Sequence, residues 1–107
     1  MSEMWVNKIQ KDVSENDIMI YMRGLPSAPR CGFSARVIKV FNELGHPYKT
    51  EDMDSDPELW ATLKEMNNWP TSPQIFIKGE FVGGCDIVVE MSRNGDLQKL
   101  INVNSEM

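Results

Sequence analysis

The sequence predicts an α/β fold in which helices flank a mixed four-stranded sheet. Three observations lead there. Pro and Gly divide the 107 residues into short segments, and the apolar period alternates between helical and strand spacing. The resulting order is α, β, α, β, α, β, β, α, a βαβ unit followed by a hairpin and a helix. A chain of this length fits one domain, 1–107, and buries enough surface to fold without disulfides.

Trp5, Val6, Ile9 and Val13 recur at three- and four-residue spacing, which predicts a helix over 3–13 before the polar break from Ser14 to Asp17. Ile18-Met19-Ile20-Tyr21-Met22 is a short apolar run bounded by Gly24 and Pro26, and reads as a buried central strand. A loop with Pro26 and Pro29 leads to Cys31, after which Phe33, Val37, Val40, Phe41 and Leu44 keep helical spacing until Gly45 and Pro47. Tyr48 to Met53 reads as the second strand. Asp56 before Pro57 supplies an N-cap acceptor and a first-turn proline, and Leu59, Leu63 and Met66 share one face of a helix that Asn67-Asn68-Trp69-Pro70 ends.

Gln74 to Ile77 and Glu80 to Val82 flank Lys78-Gly79 as an antiparallel hairpin. From Asp86 a helix carries Ile87, Val88 and Met91 to Gly95, and Asp96 to Ile101 reads as a last turn or short helix. The core thus covers 18–101, and the polar tail 102–107 is expected to fray. A βαβ unit whose first helix begins at a cysteine, followed by a ββα unit, is the layout of thioredoxin-like redox domains.

Eleven basic against sixteen acidic residues give a net charge of −5, the wrong sign for tracking phosphates, so nucleic-acid binding is not expected. Cys31, Cys85 and the lone His46 make neither a disulfide framework nor a four-ligand zinc site within one chain. No apolar run approaches the roughly 20 residues of a membrane span, and Met1-Ser2-Glu3 lacks the start of a signal peptide. The expectation is a soluble cytoplasmic protein, or alternatively one in an organelle matrix after loss of a presequence.

Cys31 falls at a helix start, near unpaired N–H groups and the cations Arg23 and Arg30, a position that favours the thiolate. Three residues on stands Ser34, whose hydroxyl cannot resolve a mixed disulfide. Cys31 therefore works with an outside thiol or binds a metal centre; the bland alternative is a small buried cysteine at a helix end. In Trp69-Pro70-Thr71-Ser72-Pro73 the last proline precedes a buried strand and is a candidate cis residue, which would turn the Ser72 backbone outward as an edge for an extended ligand; otherwise it is a rigid turn. In Gly83-Gly84-Cys85-Asp86 the glycines allow close backbone approach, Asp86 either caps the next helix or meets an amino group, and Cys85 either borders the ligand or only packs. Arg23, Arg30 and Lys64 are expected to converge around Cys31. Cations, helix N-termini, an acid, a thiolate and a strand edge complement glutathione, which carries two carboxylates, an amino group, a thiol and an extended backbone.

Together Cys31-Gly32-Phe33-Ser34, Trp69-Pro70-Thr71-x-Pro73-Gln74 and Gly83-Gly84-Cys85-Asp86 resemble the monothiol (CGFS-type) glutaredoxins over nearly all of 18–101. The resemblance implies a domain that binds glutathione and holds a [2Fe-2S] cluster between two subunits. Cys31 of each subunit and two glutathione thiolates would be the ligands, in keeping with the four thiolates usual for such a cluster. It also implies a homodimer when loaded, transfer to iron-sulfur acceptor proteins, and pairing with BolA-like partners. Glutathione would contact Arg23, Thr71, Ser72, Cys85 and Asp86. Two positions depart from the family pattern. Arg23 replaces its usual Lys, exchanging a compact ammonium for a wider fork, and Trp60 stands where the family carries a glutathione-binding Arg. Lys64, one turn on, is the expected substitute. The expected cofactor-binding set is Arg23, Trp60, Lys64, Thr71, Ser72, Pro73, Gly84, Cys85 and Asp86, with Cys31 both the catalytic and the metal-ligating residue. The rival reading is a glutathione-dependent oxidoreductase that uses Cys31 to reduce glutathionylated proteins.

Overall fold

The fold was read from a computed structural model, which describes residues 2–105. Helix α1 (Glu3–Glu15) leads into β1 (Ile18–Met22), and a tight ribbon of β2 (Gly24–Leu25) and β3 (Ala28–Pro29) precedes α2 (Gly32–Leu44). Strand β4 (Lys49–Asp52), a 3-10 turn (Met53–Ser55) and α3 (Pro57–Asn67) follow. The hairpin β5 (Gln74–Ile77) and β6 (Glu80–Gly83) leads to α4 (Cys85–Asn94) and α5 (Asp96–Ser105). The sheet order is β4-β1-β5-β6, with β1 parallel to β4 and antiparallel to β5. This is the expected thioredoxin-like arrangement.

Strand alternation divides the core in two. Ile18, Ile20 and Met22 of β1, with Ile75 and Ile77 of β5, pack against Val37, Phe41, Val88, Leu97 and Ile101 from α2, α4 and α5. Met19 and Tyr21, with Phe76, face Ile9 and Val13 of α1 and Leu59 and Leu63 of α3. All five side chains of β1 are buried, and Ile18, Met19, Ile20 and Met22 each gain about 1.5–3 kcal/mol from the removal of apolar surface. That central strand fixes where the chain emerges toward Cys31.

Several boundaries differ from the sequence expectation. The loop after Met22 contains the β2–β3 ribbon, in which Gly24 pairs with Pro29 and Leu25 with Ala28. Helix α1 continues to Glu15, and β4 is shorter than Tyr48 to Met53, since Met53 opens the 3-10 turn and is buried. The expected fray from 102 onward gives way to helix through Ser105: Leu97 and Ile101, four residues apart, are both buried, and tertiary packing sustains the helix they anchor. Residues 106–107 of that tail lie outside the described residues.

Candidate functional site

Cys31 is the N-cap residue of α2, with extended backbone and a half-buried side chain that makes no capping hydrogen bond. Its approach is fixed from three sides. The Arg23 N–H donates to Ser34 Oγ at 3.1 Å, and the Arg30 N–H donates to the Arg23 carbonyl at 2.9 Å. Gly24 turns the chain between them with φ of 88°, and its N–H donates to Asp52 Oδ1 at 3.0 Å. Partial burial pushes the Asp52 carboxyl up, but the Gly24 and Asp54 N–H groups outweigh it and hold the carboxyl below the usual aspartate range. Ser34 is fully buried. The position where a dithiol enzyme would keep its second sulfur is here a structural hydroxyl.

The three cations meet one another's partners rather than standing free. Arg23 Nε donates to both Asp54 oxygens, at 3.3 and 3.2 Å, and Arg30 Nη1 lies 3.8 Å from Asp54 Oδ2. The Arg23 guanidinium carbon sits 5.3 Å from the Trp60 ring centroid, and Lys64 Nζ 5.8 Å from the same ring, both within cation–π range. Arg23 and Lys64 thus meet at Trp60, and Arg23 and Arg30 at Asp54, so the contacts of the three expected cations are with these two residues and not with Cys31.

Thr71, Ser72, Gly84, Cys85 and Asp86 line a single open groove of about 320 Å³, walled by Phe33, Trp69 and Ile87. Phe33 and Ile87 are exposed apolar side chains. The Ser72–Pro73 bond is cis, and Pro73 is buried beneath the groove. A Cβ on Gly84 would lie 3.2 Å from both the Pro73 carbonyl oxygen and Trp69 Nε1, so the floor has room for glycine and little more. Helix α4 begins at Cys85 with Gly84 as its N-cap, one residue earlier than expected. Asp86 is therefore not the cap. It lies in the first turn, exposed, with no partner among the described residues.

Cys85 is 7% exposed, and burial pushes its thiol pKa up; a negative charge on Asp86 or Cys31 pushes it further, against the opposing pull of Arg36. Both cysteines are free, and Cys31 is the more accessible. Among the described residues no three His, Cys, Asp or Glu side chains cluster as a metal site.

Gln74 was not among the expected site residues, yet it is fully buried and organises the groove wall. Its Nε2 donates to the carbonyls of Trp69 and Thr71 at 3.0 and 3.2 Å, and its Oε1 accepts from Asn67 Nδ2 at 2.7 Å. The available signal was a polar residue opening an otherwise apolar strand.

The glutaredoxin family model matches residues 18–82. The chain belongs to the glutaredoxin family. This glutaredoxin is 44% identical over 96 residues to an uncharacterized monothiol glutaredoxin, ycf64-like, of Synechocystis sp., covering 90% of each chain. It is 45% identical over 96 residues to Glutaredoxin 4 of Escherichia coli K12, covering 90% of this chain and 84% of that one. Its Cys31-Gly32-Phe33-Ser34 sequence places it in the monothiol branch. Among solved structures, a monomeric truncated mutant of Trypanosoma brucei 1-C-Grx1 superposes with a TM-score of 0.85 at 40% identity, covering 92% of this chain and 90% of that one. A buckwheat glutaredoxin–glutathione complex gives 0.84 at 31% identity, covering 94% and 89%. No helix among the described residues is long and apolar enough to cross a membrane.

Proposed function

We propose that this monothiol glutaredoxin binds glutathione and carries a [2Fe-2S] cluster bridged between two copies of the chain, for delivery to acceptor proteins. The observation that carries the reading is the placement of the sulfurs. Cys31 is accessible at a helix start, Cys85 is buried, and Ser34 is locked in a backbone hydrogen bond. One available protein sulfur per chain suits a cargo that needs four thiolates, two from two chains and two from a small thiol.

The groove supports glutathione as that thiol. The first turn of α4 offers unpaired N–H groups for a carboxylate, and the unpartnered Asp86 carboxylate suits the adjacent ammonium. Thr71 and Ser72 border the groove where an extended peptide would lie. The resemblance to a glutaredoxin solved as a glutathione complex agrees with this ligand. A homodimer when loaded, a BolA-like partner and a cytoplasmic setting belong to the same proposal.

The test is iron and sulfide content after anaerobic reconstitution of the native chain and Cys31→Ser. The proposal expects one cluster per two native chains and none in the variant. Equal cluster content would overturn Cys31 ligation, and rapid turnover of a glutathione mixed disulfide by the cluster-free monomer would favour the oxidoreductase reading instead.

A further inference from the structure

The inference rests on the glutathione reading and concerns the end of the ligand away from α4. If the ammonium and its neighbouring carboxylate lie at Asp86 and the start of α4, the glycine carboxylate is left for the cations at Arg23, Arg30 and Lys64. Both arginines already have a carboxylate. Asp54 receives the Arg23 Nε–H on both oxygens and lies 3.8 Å from Arg30, and its side chain is only 17% exposed. The acid is held in place, because the Asp54 N–H donates to Asp52 Oδ1 at 2.9 Å and the same oxygen accepts from Gly24. Trp60 occupies the neighbouring position, and it offers a π face to Arg23 and Lys64 with no cation of its own.

We infer that Asp54 is an internal counter-carboxylate that competes with the C-terminal carboxylate of the bound thiol peptide, so that this site accepts glutathione and its C-terminally masked esters and amides almost equally. A ligand carboxylate that reaches the Arg23 Nη groups meets a guanidinium whose charge Asp54 already offsets through Nε, and drawing that side chain away leaves Asp54 only the longer Arg30 contact in a mostly buried place. Lys64, which has no carboxylate partner among the described residues, and Arg30, held only at 3.8 Å from Asp54, add attraction from exposed positions, where it is weak. Asp54 is a specificity-determining residue on this account, acting through Arg23.

The experiment is anaerobic calorimetric titration of the native chain, Asp54→Asn and Asp54→Ser with reduced glutathione and with its glycine ethyl ester. Asparagine keeps the shape and removes the charge, and thermal melts establish that each variant is folded. For the native chain the two affinities should agree within about threefold, as expected when the ligand carboxylate meets a cation that is already paired. Both variants should bind glutathione at least about fivefold more tightly while the ester changes less than about twofold, the signature of an arginine freed for a charged partner. A native chain that rejects the ester by tenfold or more, or variants that discriminate as the native chain does, would overturn the inference while leaving the glutathione reading intact. Failure of every form to bind glutathione would overturn both.

Discussion

The Arg23 backbone N–H donates to the side chain of Ser34, 3.1 Å away and fully buried. The two residues join the end of β1 to the first turn of α2, so the strand that carries the core also sets the height of Cys31. The serine of the Cys-Gly-Phe-Ser sequence therefore has a positive structural role as well as the negative one of withholding a second thiol.

Ser34→Ala should leave that N–H without its partner and cost about 1–3 kcal/mol, read as a lower denaturation midpoint in urea. Ser34→Cys should not create an efficient dithiol site, because the new sulfur would be buried. Timed alkylation of the folded variant should modify Cys31 first, with the introduced thiol reacting only as the protein opens; equal rates would contradict the packing.

Gly24 is the second residue on which the approach to Cys31 depends. Its φ of 88° lies where side chains are strained, and a Cβ there would stand 2.7 Å from the Ala28 carbonyl oxygen and 2.8 Å from the Arg30 nitrogen. Both are backbone atoms and neither can swing aside. Gly24→Ala should lose at least about 2 kcal/mol from conformation and collision together, and the alkylation rate of Cys31 should change with it. Gly32→Ala, with open space around its Cβ and no positive φ, is the control.

Gln74 supports the opposite wall of the groove. Gln74→Ala would leave the Trp69 and Thr71 carbonyls unpaired behind the Thr71–Ser72 edge, at a cost of about 2–4 kcal/mol for the pair. Glutathione affinity should weaken in the same variant even under conditions where it remains folded. Unchanged affinity would mean that the edge is held by other contacts.

Acid stability has a defined sign. The Lys78 ammonium, and then His46, hold the Asp17 carboxyl below its ordinary value, the Trp5 indole and the Glu58 N–H do the same for Asp56, and Asp52 is held down by the Gly24 and Asp54 N–H groups. As pH falls the unfolded chain takes up protons first, so their stabilisation is complete above about pH 5 and is lost as pH falls through the ordinary aspartate range to the lower folded values. Urea midpoints should be flat from pH 7 to 5 and drop below 4, and Asp17→Asn should lessen the drop modestly because that pair is half exposed. On the alkaline side burial pushes the Tyr21 phenol and the Cys85 thiol up. Their contribution is whole below the ordinary values of these groups and is lost as pH rises toward the folded ones.

Much of the fold was legible in the sequence because its elements carry clear periods. The run from Ile18 to Met22 announced a central strand, Asp56-Pro57 a helix start, and Gly45 and Gly95 helix ends, and the structure places caps at each. The β2–β3 ribbon was not legible, since two residues have no period. In the site, Thr71, Ser72, Gly84, Cys85 and Asp86 fall into one groove as their motifs implied. What sequence spacing could not supply was the partner of each polar group: Asp54 lies 31 positions from Arg23, Gln74 works through backbone carbonyls, and Asp86 leaves capping to Gly84. The first is a tertiary relation, fixed only once β1 and the 3-10 turn are packed together, and the other two are local but depend on the backbone path through residues 69–74 and 84–86.

The central claim is tested most directly by anaerobic reconstitution with iron, sulfide and glutathione, with visible absorption and sizing recorded on the same sample and a control without glutathione. The account predicts a coloured dimer that forms only when glutathione is present. A coloured species formed equally well without glutathione, or a colourless monomer that binds glutathione under the same conditions, would contradict shared ligation of a cluster by two Cys31 thiolates and two glutathiones.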